Sequence, residues 1–164
     1  MSSSKQERLS GWGQTPIAGC QTFRPEKIRD VHMLVSSQET PLIARGMGRA
    51  YGDAALQPAG VILTGRLDHF LAFDPARGIF TAQAGVTFTD ILKLIIPQGW
   101  LLPVIPGTRH VTLGGAIACN VHGKNHFREG ELGEHVLGLR LMLASGETID
   151  CSPDRNSALF WATV

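Results

Sequence analysis

The sequence has no Cys-x-x-Cys pair, no apolar run of membrane-spanning length and no surplus of charge of either sign. Each absence argues against a class of protein. Cys20, Cys119 and Cys151 are odd in number and far apart, which speaks against a disulfide framework and fits reduced thiols in a cytoplasm-like compartment. Fifteen Lys and Arg against fourteen Asp and Glu leave a formal charge of +1, with no basic block, so nucleic acid is not expected as a partner. Met1 to Ser10 are polar and hold no apolar leader core, and no transmembrane segment is expected elsewhere. A Walker-type Gly-Lys-Ser/Thr, a Ser/His/Asp order and paired catalytic carboxylates are all missing, so phosphoryl transfer and hydrolysis lose support. No internal repeat, low-complexity tract or interdomain linker interrupts the chain.

What is present is a composition suited to one packed core. The chain has 164 residues, 43% apolar and 18% charged, enough to bury roughly two thirds of the surface of the unfolded chain. Its nineteen glycines concentrate around 46–52, 107–115 and 123–138. Between those clusters the pattern alternates irregularly. Pro25 precedes a helical spacing of apolar residues from Glu26 to Val35. Strands are expected at 41–44, 60–64 and 70–73, the last turning at Asp74–Gly78 into a returning arm at 79–84. Thr87 is an N-cap for a helix from Phe88 to Ile96, closed by Pro97 and Gly99. Residues 100–106 hold two prolines and read as an extended connector. A small-residue helix is expected from Thr112 to Ala118, a second hairpin from Val136 to Cys151 about Ser145-Gly146, and a helix start at 157–164. Strands and helices mixed without strict βαβ alternation point to the α+β class. The apolar stretch 158–164 runs to the last residue without a cap or polar tail, which reads as a domain cut short.

Three strings could carry chemistry. The first, Ala44-Arg-Gly-Met-Gly-Arg-Ala-Tyr-Gly-Asp53, follows an expected strand. Its glycines let backbone N–H groups converge on an anion, with Arg45 and Arg49 adding charge. Its spacing is one residue longer than the Rossmann fingerprint, no acidic residue stands ready for a ribose, and a tight turn would explain the same glycines. The second, Pro106-Gly-Thr-Arg-His-Val-Thr-Leu-Gly-Gly-Ala116, offers an uncluttered backbone to a flat ring or a diphosphate, and serves helix packing equally well. The third, Cys119-Asn-Val-His-Gly-Lys-Asn-His126, superficially offers three zinc ligands with Cys151 or His135 as a fourth. Structural zinc sites usually pair their ligands in short modules, and a second pair is lacking, so no metal is expected. An exposed polar loop here would instead place His122 beside a bound ring. His32, His69 and His110 read as ordinary surface or satisfied histidines, and Trp100, Phe160 and Trp161 as core or interface.

Taken in order, these strings, with Leu9-Ser-Gly-Trp-Gly13, Pro103-Val-Ile-Pro-Gly-Thr-Arg109 and Leu159-Phe-Trp-Ala-Thr-Val164, resemble the FAD-binding domain of the vanillyl-alcohol oxidase and p-cresol methylhydroxylase (PCMH-type) flavoproteins. The likeness spans nearly the whole chain. Within the family it is nearest to oxidases of polyprenyl-phosphate-linked pentoses that serve arabinan precursor and cell wall synthesis. The resemblance implies an α+β fold of two subdomains with FAD between them, residues 1–164 forming the N-terminal FAD-binding part. A substrate domain with a catalytic lysine would lie outside the chain, which alone should not turn over.

By the same resemblance, Arg45, Gly46, Met47, Gly48, Arg49, Ala50 and Tyr51 would wrap the pyrophosphate. Pro106, Gly107, Thr108, Thr112, Gly114 and Gly115 would line the diphosphate and isoalloxazine. Cys119, Val121, His122, Gly123 and Asn125 would lie near the ring, with His122 as the residue closest to the reaction. The implied chemistry is hydride transfer from a sugar secondary alcohol to flavin N5, giving a ketone that a short-chain reductase partner returns as the epimeric alcohol. Arg49 stands where many relatives bind FAD covalently through a histidine, so non-covalent FAD is expected, and Ala50 replaces a serine of the nearest relatives. The expected location is cytoplasmic, peripheral to the inner membrane. Gulonolactone-type or glycolate-type oxidases share the fold, which does not choose among them. A non-catalytic flavin-binding module and a zinc-stabilised interaction domain are the other readings.

Overall fold

The computed structural model describes residues 4–37 and 39–164. A four-stranded sheet opens the chain: β1 (Lys5–Ser10), β2 (Ile17–Phe23), β3 (Ile43–Arg45) and β4 (Val61–Leu63), in the order β1-β2-β4-β3. β1 pairs antiparallel with β2, while β2 and β3 both run parallel to β4. Parallel neighbours need a crossover, and two are present. Helix α1 (Ile28–Ser37) lies on the path from β2 to β3, and residues 46–60 return the chain from β3 to β4. The first glycine string therefore begins at the carboxyl end of a parallel strand, where open sheets carry their ligands.

The rest of the chain is two hairpins and short helices. β5 (Phe70–Asp74) pairs antiparallel with β6 (Ile79–Ala82), and β7 (Leu139–Met142) with β8 (Thr148–Cys151). Between them run α2 (Phe88–Ile95), α3 (Leu113–Ala118) and α4 (His126–Glu129), and α5 (Ser157–Trp161) follows β8. Thr87 caps α2 by accepting from the Asp90 N–H at 3.2 Å. Its apolar face puts Phe88, Ile91 and Ile95 into a core shared with Val86, Leu102, Val104, Ala116 and Leu132. Burying such side chains supplies roughly 1.5–3 kcal/mol each. Cys20, Phe23, Leu34, Val61 and Ile62 are buried around the sheet and α1.

The α+β class, both hairpins, the cap at Thr87, the extended connector at 100–106 and the small-residue helix α3 stand as the sequence suggests. Four details differ. The helix expected from Glu26 starts at Ile28, because the Asp30 carboxylate takes the Lys27 N–H at 3.1 Å and fixes the first turn there. The strand expected at 41–44 is Ile43–Arg45, since Pro41 has no N–H for a ladder. β1 and β2 were not foreseen at all, and the polar loop expected after Cys119 contains the single turn α4.

Candidate functional site

The site is built where the three glycine strings come side by side. Gly46 lies so close to Thr112 that a Cβ on it would overlap the threonine hydroxyl, which joins the first string to the second. Arg49 Nε donates to the carbonyl of His110 at 3.3 Å and makes a second joint. The third string packs on the connector that leads into the second. A Cβ on buried Gly123 would come within 2.9 Å of the Ile105 carbonyl, and Asn125 donates to the Pro103 carbonyl at 3.0 Å.

Arg45, at the end of β3, shapes the first string from beneath. Its guanidinium donates to the carbonyls of Ser10 at 2.7 Å and Ala55 at 3.3 Å, and a Cβ on Gly48 would strike it. Burial pulls its pKa down from the ordinary guanidinium value, but an arginine stays charged at neutral pH. Gly48 has φ of +66°, a left-handed conformation that a side chain would strain, so φ requires glycine there. Above this support, and among the described residues, the backbone N–H groups of Gly46 through Gly52 donate to no protein acceptor. Met47 and Tyr51 are exposed, Tyr51 by 76%.

The second string divides in two. At its start, the N–H groups of Gly107, Thr108 and Arg109 are likewise unspent among the described residues. A Cβ on Gly107 would meet nothing within 4 Å, so the open backbone there is not a packing requirement. Further on, the donors of α3 are used up. Leu113 N–H goes to Val86 O at 2.7 Å, Gly114 to Ala84 O at 2.8 Å, and Gly115 to the buried Thr112 hydroxyl at 3.2 Å. Gly114 has no Cβ because Ala84 occupies that space, 2.7 Å from where one would stand. Its glycine is thus explained inside the protein.

In the third string Cys119 is exposed at the end of α3, and Val121 is held by backbone bonds to Ala116 and Leu132. His122 is exposed, its ring edge-on to that of His126 with centroids 5.3 Å apart. Among the described residues its ring nitrogens make no hydrogen bond, which leaves both available. The zinc reading finds no support in the geometry. Cys151 is buried in β8, His135 Nε2 contacts the Glu129 carbonyl at 2.8 Å, and no group of three His, Cys, Asp or Glu among the described residues is placed to hold a metal ion.

Sequence reasoning gave no role to Gly11, Trp12 or Ala84. A Cβ on Gly11 would press on the carbonyls of Ala50 and Gly52, at 2.7 and 2.5 Å, and the Trp12 N–H donates to Ala50 O at 2.8 Å. Arg49 lies over the Trp12 ring, 4.7 Å from its centroid. The one signal for this seam was the Leu9–Gly13 string within the family likeness. Ala84 had no signal, because only the fold brings it under Gly114.

Residues 22–152 match the family model described as FAD binding domain. The decaprenylphosphoryl-beta-D-ribose oxidase of Mycolicibacterium smegmatis is 40% identical over 164 residues, covering 96% of this chain and 36% of that protein. An uncharacterized FAD-linked oxidoreductase of Mycobacterium tuberculosis is 30% identical over 87% of this chain and 32% of its own length. The L-gulonolactone oxidase of Scyliorhinus torazame is 28% identical over 84% of this chain and 31% of its own. The chain thus spans about a third of the length of these relatives. With a family match over most of its length and the family's glycine strings gathered into one site, the chain belongs to the FAD binding domain family.

Proposed function

We propose that this chain is the FAD-holding part of an oxidoreductase that converts a secondary alcohol of a polyprenyl-phosphate-linked ribose into a ketone. The observation that carries the reading is the row of unspent N–H groups from Gly46 to Gly52 beside those of Gly107 to Arg109. Two such rows suit the two phosphates of a dinucleotide, which need donors and an approach free of Cβ atoms. Arg45 adds a fixed positive charge under the first row. Pro106 and Thr108 flank Gly107 in the second row, Thr112 joins the two rows at Gly46, and Gly114 and Gly115 act by seating α3 against Ala84 and Thr112.

When bound, FAD supplies the acceptor for a hydride leaving the carbinol carbon. The chain's own residues hold and orient it, and His122 presents a free ring nitrogen that can take the hydroxyl proton. Cys119, Val121, Gly123 and Asn125 set the floor on which that ring stands. Binding is non-covalent, since Arg49 occupies the place of the attaching histidine. Residues 1–164 act as the cofactor-binding unit, and the residues that choose the substrate belong to the two thirds of the relatives' length without counterpart here. The sugar specificity follows the 40% identical ribose oxidase in preference to the 28% identical lactone oxidase. A separate reductase takes the ketone, and the protein works in the cytoplasm against the inner face of the membrane. Among the described residues no helix is long and apolar enough to cross a membrane.

The test is a titration of the purified chain with FAD, followed by acid release of the flavin. The expected result is about one FAD per chain, fully released by acid, as for a single diphosphate cradle. Absence of bound flavin at saturating FAD, or flavin that remains attached after acid, contradicts the reading. In a protein that joins this chain to the remaining two thirds of the relatives' length, anaerobic bleaching by a polyprenylphosphoryl ribose, and not by gulonolactone, checks the substrate.

A further inference from the structure

We infer that Arg49 is a positioning residue, spent inside the protein as a clasp, and is not a phosphate ligand; the inference rests on the FAD reading above. An exposed arginine in a glycine-rich anion loop is ordinarily read as charge for the phosphate. The geometry assigns its guanidinium elsewhere. One face covers the indole of Trp12 at 4.7 Å, and Nε donates to the His110 carbonyl at 3.3 Å. Trp12 is itself tied to the loop by its N–H to Ala50 O at 2.8 Å. Three segments far apart in sequence therefore meet on one side chain: the turn after β1, the first glycine string and the second.

Such a clasp has work to do because the loop holds no bonds of its own. With the N–H groups of Gly46 to Gly52 all unspent among the described residues, little besides Arg45 from below, Trp12 and Gly11 from the side, and Arg49 across the gap keeps them convergent. A cradle that must be ordered by its ligand binds more weakly than one ordered beforehand. Arginine suits the task where lysine does not. A planar guanidinium can stack on indole while its Nε–H points sideways to a carbonyl, whereas an ammonium is a point charge without that fork.

Arg49→Met, Trp12→Leu, Trp12→Phe and the double variant R49M/W12L are compared in FAD affinity across ionic strengths. Chymotrypsin cleavage after exposed Tyr51 is followed in the ligand-free chains, and thermal midpoints are recorded alongside. The clasp requires R49M and W12L each to weaken FAD about tenfold, the scale of a cation–π contact plus one hydrogen bond. It also requires the double variant to lose no more than either single one, Trp12→Phe to retain most of the affinity, and the salt dependence to stay unchanged. Cleavage at Tyr51 should rise in both single variants while the midpoints hold. A flatter salt dependence in R49M with W12L at wild-type affinity makes Arg49 a phosphate ligand and overturns the clasp. Additive losses, or wild-type affinity and cleavage in both, overturn it as well. If wild type itself binds no FAD, the cofactor reading fails, and the Tyr51 cleavage still decides whether Arg49 orders the loop.

Discussion

The two glycine strings that meet at Thr112 look alike on paper and work differently in space. From Gly46 to Gly52 the backbone donors are free, and glycine is needed at Gly46 because Thr112 stands where a Cβ would go and at Gly48 and Gly52 because φ is positive. At Gly114 and Gly115 the donors are already given to Ala84 and Thr112, and glycine is needed so that α3 can lie on Ala84. Gly107 combines a free donor with open space and has no positive φ, whereas Gly52, equally open, has φ of +56°. A glycine count therefore says where backbone must come close to something. Whether that something is a ligand or another part of the protein depends on where the N–H groups go.

The contrast can be broken most severely at Gly46. Gly46→Val forces apart the joint between the strings, and its expected cost is about 1–3 kcal/mol of stability, as for overpacking elsewhere. FAD binding should be lost with it, which thermal unfolding and a flavin titration check together. Gly114→Ala should cost a similar 1–3 kcal/mol by colliding with Ala84. The folded molecules should still bind FAD normally, and Ala84→Gly in the same chain should restore stability. Weakened affinity in that repaired pair would move Gly114 into the cofactor contact. Gly107→Ala sharpens the distinction from the opposite side: stability within about 0.5 kcal/mol of wild type, but FAD affinity down about tenfold, because the new methyl stands where the diphosphate approaches.

The smallest effect is expected far from both strings, in the β7–β8 hairpin. The Asp150 carboxylate accepts from Arg140 Nε at 2.8 Å, and that bond holds its pKa below the usual carboxylate range. A depressed carboxylate stabilises the fold above its unfolded pKa and loses that contribution as the pH falls through its folded one. Asp150→Asn should therefore lower the thermal midpoint slightly at neutral pH, with the difference fading in acid. FAD affinity should not change at any pH where the chain is folded.

The elements that could be read from sequence are those whose signal is local. The cap at Thr87 with Ile91 and Ile95 on one face, the turn at Asp74–Gly78 and the small residues of α3 each announce themselves within a few positions. β1 does not, because Lys5-Gln6-Glu7-Arg8 has no apolar alternation. It is an edge strand held by its ladder to β2 and by inward-facing Glu7, which accepts from Arg24 at 2.8 Å and from Thr22 at 3.2 Å. β2 hides for a related reason: the residues it buries include Cys20 and the polar Thr22, with Gly19 before them and Gln21 between them. At the site, the residue strings were legible as strings. Their approach in space rests on contacts such as Gly46 to Thr112 and Gly123 to Ile105 that no spacing rule encodes.

The most direct measurement follows the backbone amides of the isotope-labelled chain by NMR as FAD is added. The expected result is large downfield shifts for Gly46 to Gly52 and for Gly107 to Arg109, saturating together, with Gly114 and Gly115 little changed. Shifts confined to α3, or a first string that stays put while FAD binds, would contradict the cradle.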